Sequence, residues 1–281
     1  MNLLLGVGLR VLSSLCFALT YTFYKASLPF LSNLEVVAIQ SFLSWLFILP
    51  FALRGGIGSL MSPKVGFICL RSFFGLGSAY CLTLALSTTS LAETTLLNNT
   101  SPLFIPFLAW IGLKEKIRHC LWPSLIVGFI GVVIVLHPTT SSLNPGLLWA
   151  LLSGFFAGCL VVAVRHIAHE PLHRILFYYF LLFWIVPSPL LLFSWKTPPV
   201  LVWIYLCAAA VCMIGAQLSL TAALRHASPQ AIAPFAYALV IFSGIIGWVI
   251  WGETVHLAAL IGMTLVVISG IYTIFLNQRN P

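Results

Sequence analysis

Hydrophobic residues run along the chain in ten long stretches, and polar residues gather in the short intervals between them. Each stretch is about the length of an α-helix that crosses a hydrocarbon core of ~30 Å. The pattern therefore predicts an all-α membrane protein with ten transmembrane helices. The predicted spans are 3–24, 34–53, 65–87, 92–112, 121–136, 146–164, 172–193, 200–223, 229–250 and 256–276.

The composition favours the same class of protein. Of the 281 residues, 61% are hydrophobic and only 6% are charged, whereas a soluble domain carries about 25% charged residues. The spans use most of the chain and leave too little sequence between them for a folded soluble domain. We therefore expect no nucleotide-hydrolysing motor and no extramembrane catalytic domain within these residues.

The net charge of +8 comes from 13 lysines and arginines, which lie mostly in the short loops. Charge in such loops orients a membrane protein and does not indicate a nucleic-acid partner. With the N-terminus inside, 11 of the 13 basic residues lie on the cytoplasmic side, and only Lys25 and Lys196 lie outside. This distribution predicts a multi-pass protein of the cell inner (plasma) membrane with both termini in the cytoplasm.

The second half of the chain repeats the first at a shift of 138 positions, which aligns Trp110 with Trp248 and Glu115 with Glu253. All five spans of one half fall on those of the other. Because each copy has an odd number of spans, the second copy enters the membrane from the opposite side, giving a five-plus-five inverted repeat. The predicted repeats are residues 1–138 and 139–281. One chain holds both halves, so a monomer is sufficient, and a homodimer is compatible with the pattern.

Short motifs recur near the end of each copy. They are Ser101-Pro102-Leu103, Lys114-Glu115-Lys116 and Val127-Gly128-Phe129-Ile130-Gly131-Val132 in the first, and Ala233-Pro234-Phe235, Trp251-Gly252-Glu253 and Leu260-Ile261-Gly262 in the second. Together they resemble the EamA domain of the drug/metabolite transporter superfamily over essentially the whole chain. The resemblance implies ten helices, a central cavity and a small-molecule metabolite as substrate. We expect no cofactor and no metal.

Further segments are similar to the S-adenosylmethionine uptake branch of that superfamily: Leu34-Glu35-Val36-Val37, Leu49-Pro50-Phe51, Leu70-Arg71 and Ala233-Pro234-Phe235-Ala236-Tyr237. Arginines typical of the branch are replaced here by Gln40 and Ala236. The implied function is secondary transport by alternating access, with uptake or exchange of the S-adenosylmethionine type. The alternatives are an exporter of amino acids or other metabolites with the same fold, and a membrane scaffold that transports nothing.

Polar side chains inside the predicted spans are the candidate substrate ligands, because an unpaired polar group in hydrocarbon costs several kcal/mol. The densest group begins at Asn98, and its counterparts in the second copy begin at Ala236. A kink that the fold requires would occur in both copies, so the difference favours a ligand role. The alternative is that these side chains bond to neighbouring helices and that Pro102 and Pro106 only bend the span. The predicted substrate-binding residues are Tyr21, Gln40, Arg71, Tyr80, Asn98, Asn99, Ser101, Gln217 and Tyr237.

Four aromatic or basic residues require separate interpretation. Aromatic rings in the outer half of the bundle would suit a sulfonium or ammonium group, but Tyr24 is favoured as part of an interfacial aromatic belt. Arg71 could bind a substrate carboxylate, although extension to the cytoplasmic head groups is the favoured interpretation. Tyr178 and Tyr179 are adjacent on a helix and cannot both face the cavity.

The five glutamates all lie at or near the ends of spans, and none lies at mid-membrane. An embedded carboxylate is the usual device for proton coupling. Its absence favours facilitated diffusion or substrate exchange, with Glu93 as the remaining candidate for coupling.

One motif indicates a different class of protein. His169-Glu170-Pro171-Leu172-His173 matches HExxH, in which two histidines bind zinc and the glutamate activates water. Pro171 is best explained as the first residue of a span, which leaves His169 outside the helix. An intramembrane zinc protease is therefore a distant alternative, and we expect that the chain is not an enzyme.

Overall fold

Helices account for all of the regular secondary structure in the part of the chain that the structure describes. The computed structural model describes residues 3–53, 60, 62–113, 122–136, 144–164, 170–194, 197–227, 232–253 and 257–278. Six of its helices are long and apolar enough to cross a membrane. The helices are α1 (Leu3–Ser27), α2 (Asn33–Leu53), α3 (Val65–Leu86), α4 (Leu91–Asn98), α5 (Ser101–Leu113), α6 (Trp122–Leu136), α7 (Pro145–Val164), α8 (Leu172–Ile185), α9 (Ser188–Ser194), α10 (Val200–His226), a 3-10 helix (Ala233–Tyr237), α11 (Ala238–Trp251) and α12 (Leu257–Gln278).

The predicted spans 92–112 and 229–250, which the predicted repeat aligns with each other, are both interrupted. The first contains α4 and α5, which are separated by a turn at Asn99 and Thr100. The second contains the 3-10 helix followed by α11. An interruption in both copies is what a structural requirement predicts. The different residue types at these positions therefore do not by themselves indicate a ligand site.

Two glutamates at helix starts act as caps. The Oγ of Ser90 accepts a hydrogen bond from the amide of Glu93 (3.2 Å) and donates one to its carboxylate (2.7 Å) at the start of α4. Ser32 donates in the same way to Glu35 at the start of α2 (2.8 Å). This is the Ser-x-x-Glu capping box, which satisfies amides that have no partner within the helix. Capping accounts for Glu93 without a role in proton coupling.

Antiparallel helix pairs surround the centre of the bundle. The start of α1 meets the end of α10 where Gly6 lies beside Ala227, and further along Ser13 donates a hydrogen bond to the carbonyl of Ala216 (2.8 Å). Small residues at such contacts let two membrane helices approach closely. In the same way α3 packs along α7, α2 along α8 and α6 along α12. The first three of these pairs supply most of the wall of a central cavity.

Candidate functional site

A cavity of about 230 Å³ lies inside the bundle. Gly75 and Met213, near the middle of α3 and α10, place it about halfway along these helices. Its wall combines six aromatic rings with a few polar side chains. The described residues that line it are Phe17, Tyr21, Tyr24, Gln40, Arg71, Gly75, Ser78, Ala79, Leu82, Asn98, Ala157, Leu160, Tyr179, Phe180, Phe183, Met213, Gln217 and Leu220.

Five of the nine predicted binding residues lie in this wall, brought together from five different helices. They are Tyr21, Gln40, Arg71, Asn98 and Gln217. Their separation in sequence is large, but the packing of α1, α2, α3, α4 and α10 places them around one space.

The other four predicted residues are not among the described residues that line the cavity. Asn99 follows α4 directly, and its Nδ2 donates to the carbonyl of Thr95 (2.8 Å), which is a capping contact within its own helix. Ser101 begins α5, and Tyr80 lies on α3 beside the lining residue Ala79. Tyr237 is 6% exposed and packs in a hydrophobic cluster.

A chain of hydrogen bonds in the cavity wall joins α1 to α2. The hydroxyl of Tyr24 donates to Oε1 of Gln40 (2.6 Å), and Nε2 of Gln40 donates to Oγ of Ser44 (2.7 Å). Tyr24 is only 2% exposed. The favoured interpretation of Tyr24 as part of an interfacial belt is therefore wrong, because the side chain faces a partner within the bundle.

Arg71 carries the only formal charge among the described lining residues. Its Cζ lies 5.2 Å from the centre of the Tyr179 ring, and the residue is 9% exposed. The favoured prediction that Arg71 extends to the head groups is wrong, because its guanidinium packs against an aromatic ring inside the bundle. Its Nη1 has no hydrogen-bond partner among the described residues.

Asn98 ties the end of α4 to two other helices at the cavity. Its Nδ2 donates to Oγ of Ser153 (3.0 Å) on α7 and lies 3.3 Å from Oγ of Ser78 on α3. Ser78 in turn donates to the carbonyl of Ser153 (2.9 Å). This arrangement uses the side-chain amide N–H groups of Asn98 and leaves its side-chain oxygen, Oδ1, as an acceptor.

Sequence reasoning missed the aromatic wall that α8 contributes. Tyr179 and Phe183 lie one helical turn apart with ring centroids separated by 4.1 Å, and both line the cavity with Phe180. Large apolar residues occupy every side of α8, so no apolar stripe distinguishes its inner face. Of the two adjacent tyrosines, Tyr179 lines the cavity, while the hydroxyl of Tyr178 donates to the carbonyl of Leu60 (3.3 Å).

A cluster of polar contacts fastens one end of the bundle. Lys25, in the last turn of α1, forms an ion pair with Glu253, which follows α11. The Lys25 amine also donates to the carbonyl of Thr89 (2.6 Å) and lies 5.6 Å from the centre of the Trp251 ring. The second carboxylate oxygen of Glu253 accepts the amide of Leu91 (2.8 Å). The ends of α1 and α11 are thereby joined to the start of α4.

Glu170, within the HExxH sequence, joins two connecting segments. Its carboxylate accepts a hydrogen bond from Ser62 Oγ (2.7 Å) and forms an ion pair with Arg174. The bond from Ser62, and next the one from Arg174, hold the pKa of Glu170 below its usual 4.5. His169 lies outside the described residues. Within the described ranges, no three histidine, cysteine or acidic side chains are grouped so that they could hold a metal ion.

Comparison with known proteins gives a family match over nearly the whole chain. The EamA-like transporter family matches residues 4–137 and 144–276. The chain is 28% identical over 267 residues to the pseudopaline exporter CntI of Pseudomonas aeruginosa, covering 94% of both chains. It is 27% identical over 283 residues to the S-adenosylmethionine uptake transporter of Rickettsia felis, covering 98% of this chain and 94% of that one.

Two further matches also cover most of both chains. The chain is 28% identical over 250 residues to the riboflavin transporter of Vibrio cholerae, covering 87% of this chain and 84% of that one. A protein of known crystal structure superposes with a TM-score of 0.65 at 19% identity, covering 99% of this chain and 98% of that one. At that identity, the superposition shows the fold alone.

Proposed function

The chain belongs to the EamA-like transporter family, and from this premise we propose that it carries small metabolites through the central cavity by alternating access. The observation that carries the proposal is the composition of the cavity wall. Gln40, Asn98 and Gln217 bring amide groups, and Arg71 brings a charge, into the interior of an apolar bundle. Such groups are costly in a membrane and mark substrate pathways.

Ten membrane spans in two inverted repeats, residues 1–138 and 139–281, would supply the motion. A shift of 138 positions relates α1 to α7 and α3 to α10. If the two copies are related by a two-fold axis, the packing of α1 along α10 implies that α7 packs along α3. Both of these helix pairs are present. The family match, which falls in two segments of similar length, supports the same division. An exchange of conformations between the two repeats would open the cavity to one side and then to the other.

The ion pair of Lys25 and Glu253 is proposed to hold one side closed. The distribution of basic residues supports an outside position for Lys25, in a protein of the cell inner membrane with both termini in the cytoplasm. Opening to the outside then requires this pair to separate. Both halves of the cavity come from one chain, so a monomer suffices.

The main proposal for the substrate is uptake or exchange of the S-adenosylmethionine type, which the relative from Rickettsia felis supports. The aromatic rings of the wall suit the sulfonium group of such a molecule. The second candidate is export of an amino acid or another metabolite, and the pseudopaline exporter of Pseudomonas aeruginosa supports export as the direction. The described acids lie away from the cavity wall, which favours exchange or facilitated diffusion over proton coupling.

Counterflow in liposomes tests the proposal. Vesicles that contain the purified protein and unlabelled S-adenosylmethionine should accumulate labelled S-adenosylmethionine. Parallel vesicles are loaded with amino acids or nucleosides and tested in the same way. Asn98→Ala should reduce accumulation, and the matched control is Ile241→Val at a residue that is 64% exposed on the surface of the bundle. Vesicles that accumulate no member of the panel would contradict the transport function.

A further inference from the structure

Arg71 is an ionised side chain inside the bundle, and none of the described residues that line the cavity with it is acidic. Arginine keeps its proton under any ordinary condition. The described glutamates have partners elsewhere: Glu35 and Glu93 bond to the serines that precede their helices, Glu170 pairs with Arg174, and Glu253 pairs with Lys25. No acidic residue is among the described residues of the wall. The fifth glutamate of the chain, Glu115, lies outside the described residues.

The ring of Tyr179 compensates only part of this charge. A cation over an aromatic ring is stabilised only weakly, whereas an ion removed from water without a counterion is destabilised by far more. Nη1 of Arg71 is buried and has no acceptor among the described residues. The space beside the guanidinium and the ring is the cavity itself, since both residues line it.

We propose that the missing acceptor is a carboxylate of the substrate, which binds Arg71 while the substrate occupies the cavity. This inference rests on the proposed transport function and names the substrate class: a metabolite with a carboxylate group, such as an amino acid or an amino-acid conjugate. The planar guanidinium offers two parallel N–H donors, which match the two oxygens of a carboxylate.

The charge of the wall selects a carboxylate over a phosphate. One guanidinium neutralises one negative charge, and no other cation is among the described lining residues. A dianionic phosphate would therefore keep an unpaired charge in a low-dielectric space. The remainder of a carboxylate substrate contacts the side-chain oxygen of Asn98 and the rings of Tyr21 and Phe180. These groups suit an ammonium, sulfonium or flat apolar group.

Matched pairs of probes test this inference on the purified full-length protein in detergent. The pairs are S-adenosylmethionine with its decarboxylated form, and methionine with methioninamide. The carboxylated member of at least one pair should raise the unfolding temperature in a saturable manner, and its partner should not. Arg71→Met should weaken that binding by about thirtyfold or more, because the carboxylate loses its buried counterion. Equal effects of both members of every pair on the wild type would overturn the inference.

Two variants separate binding from a structural role of the arginine. Arg71→Met without ligand should unfold at the wild-type temperature or above it, because an unpaired buried charge has been removed. Arg71→Lys should retain the preference for carboxylated probes with weaker binding, since the charge stays but the paired donors are lost. A variant Arg71→Met that still prefers the carboxylated probe would overturn the inference.

Counterflow in liposomes distinguishes the two proposals. Transport of both members of a pair at equal rates would overturn the carboxylate requirement and keep the transport function. Stabilisation that depends on the carboxylate, without counterflow of any probe, would overturn the transport function and support the binding inference.

Discussion

Lys25 and Glu253 join the end of α1 to the segment after α11 by an ion pair whose side chains are only 14% and 17% exposed. The same two side chains bond to the backbone at Thr89 and Leu91, just before and at the start of α4. Lys25 belongs to the first half of the chain and Glu253 to the second. Opening of this end of the bundle would separate the end of α1, the segment after α11 and the start of α4, and would therefore break the pair.

Glu253→Gln should weaken this closure. Removing one partner of a largely buried charge pair costs about 2 kcal/mol or more, so the unfolding temperature in detergent should fall. A double-mutant cycle with Lys25→Met measures the coupling between the two side chains, which we expect to exceed about 1 kcal/mol. Additive effects of the two substitutions would show that the pair does not hold this end together.

A second prediction concerns the contact between α7 and the interrupted helix. A Cβ atom at Gly154 would lie 2.4 Å from the carbonyl oxygen of Leu97 and 2.7 Å from Oγ1 of Thr100. Gly154→Ala should therefore force the backbone apart and destabilise the protein by about 1–3 kcal/mol.

Gly215→Ala is the matched control, because its new Cβ would meet only Sγ of Cys16 at an ordinary 3.7 Å. Alanine is the better helix former, so this control should be neutral or stabilise the protein by up to about 1 kcal/mol. Thermal unfolding of the two variants side by side compares them, and equal stability would contradict the close contact at Gly154.

The hydrophobic pattern predicts helices well because membrane spans require long apolar runs, and α1, α2, α3, α7 and α10 follow the predicted bounds closely. It does not predict where a span breaks, since α4 and α5 lie in one continuous apolar stretch. The break depends on local hydrogen bonds such as that of Thr100 to the carbonyl of Leu97 (2.6 Å).

The sequence predicted those residues of the candidate site that are polar and lie within apolar segments. Gln40, Arg71, Asn98 and Gln217 are polar residues in apolar segments, so their sequence context identified them, and they lie in the cavity wall. The aromatic rings that α8 contributes were not predictable, because Tyr179 and its neighbours lie in a helix that is apolar on every side. Adjacent polar residues such as Asn98 and Asn99 also look alike in sequence, although they point in different directions in a helix.

That difference gives a third prediction. Asn98→Ala should lower counterflow by about tenfold or more, since it removes a side chain from the cavity wall and leaves Ser78 and Ser153 without its amide. Asn99→Ala should lower the free energy of unfolding by about 1 kcal/mol through loss of its bond to Thr95 and keep most of the counterflow. Equal losses of transport in the two variants would contradict the assignment of only Asn98 to the cavity.

The fourth prediction concerns Glu170, whose pKa lies below 4.5 because Ser62 and then Arg174 donate hydrogen bonds to its carboxylate. A lowered pKa in the folded protein means that the charged form stabilises the fold above pH 4.5. That stabilisation is lost as the pH falls through the folded pKa. Glu170→Gln should therefore unfold at a lower temperature than the wild type at pH 7, and the gap should close on acidification. Counterflow by Glu170→Gln should persist at neutral pH, whereas its abolition in a folded variant would assign the residue a part in function beyond joining the two segments.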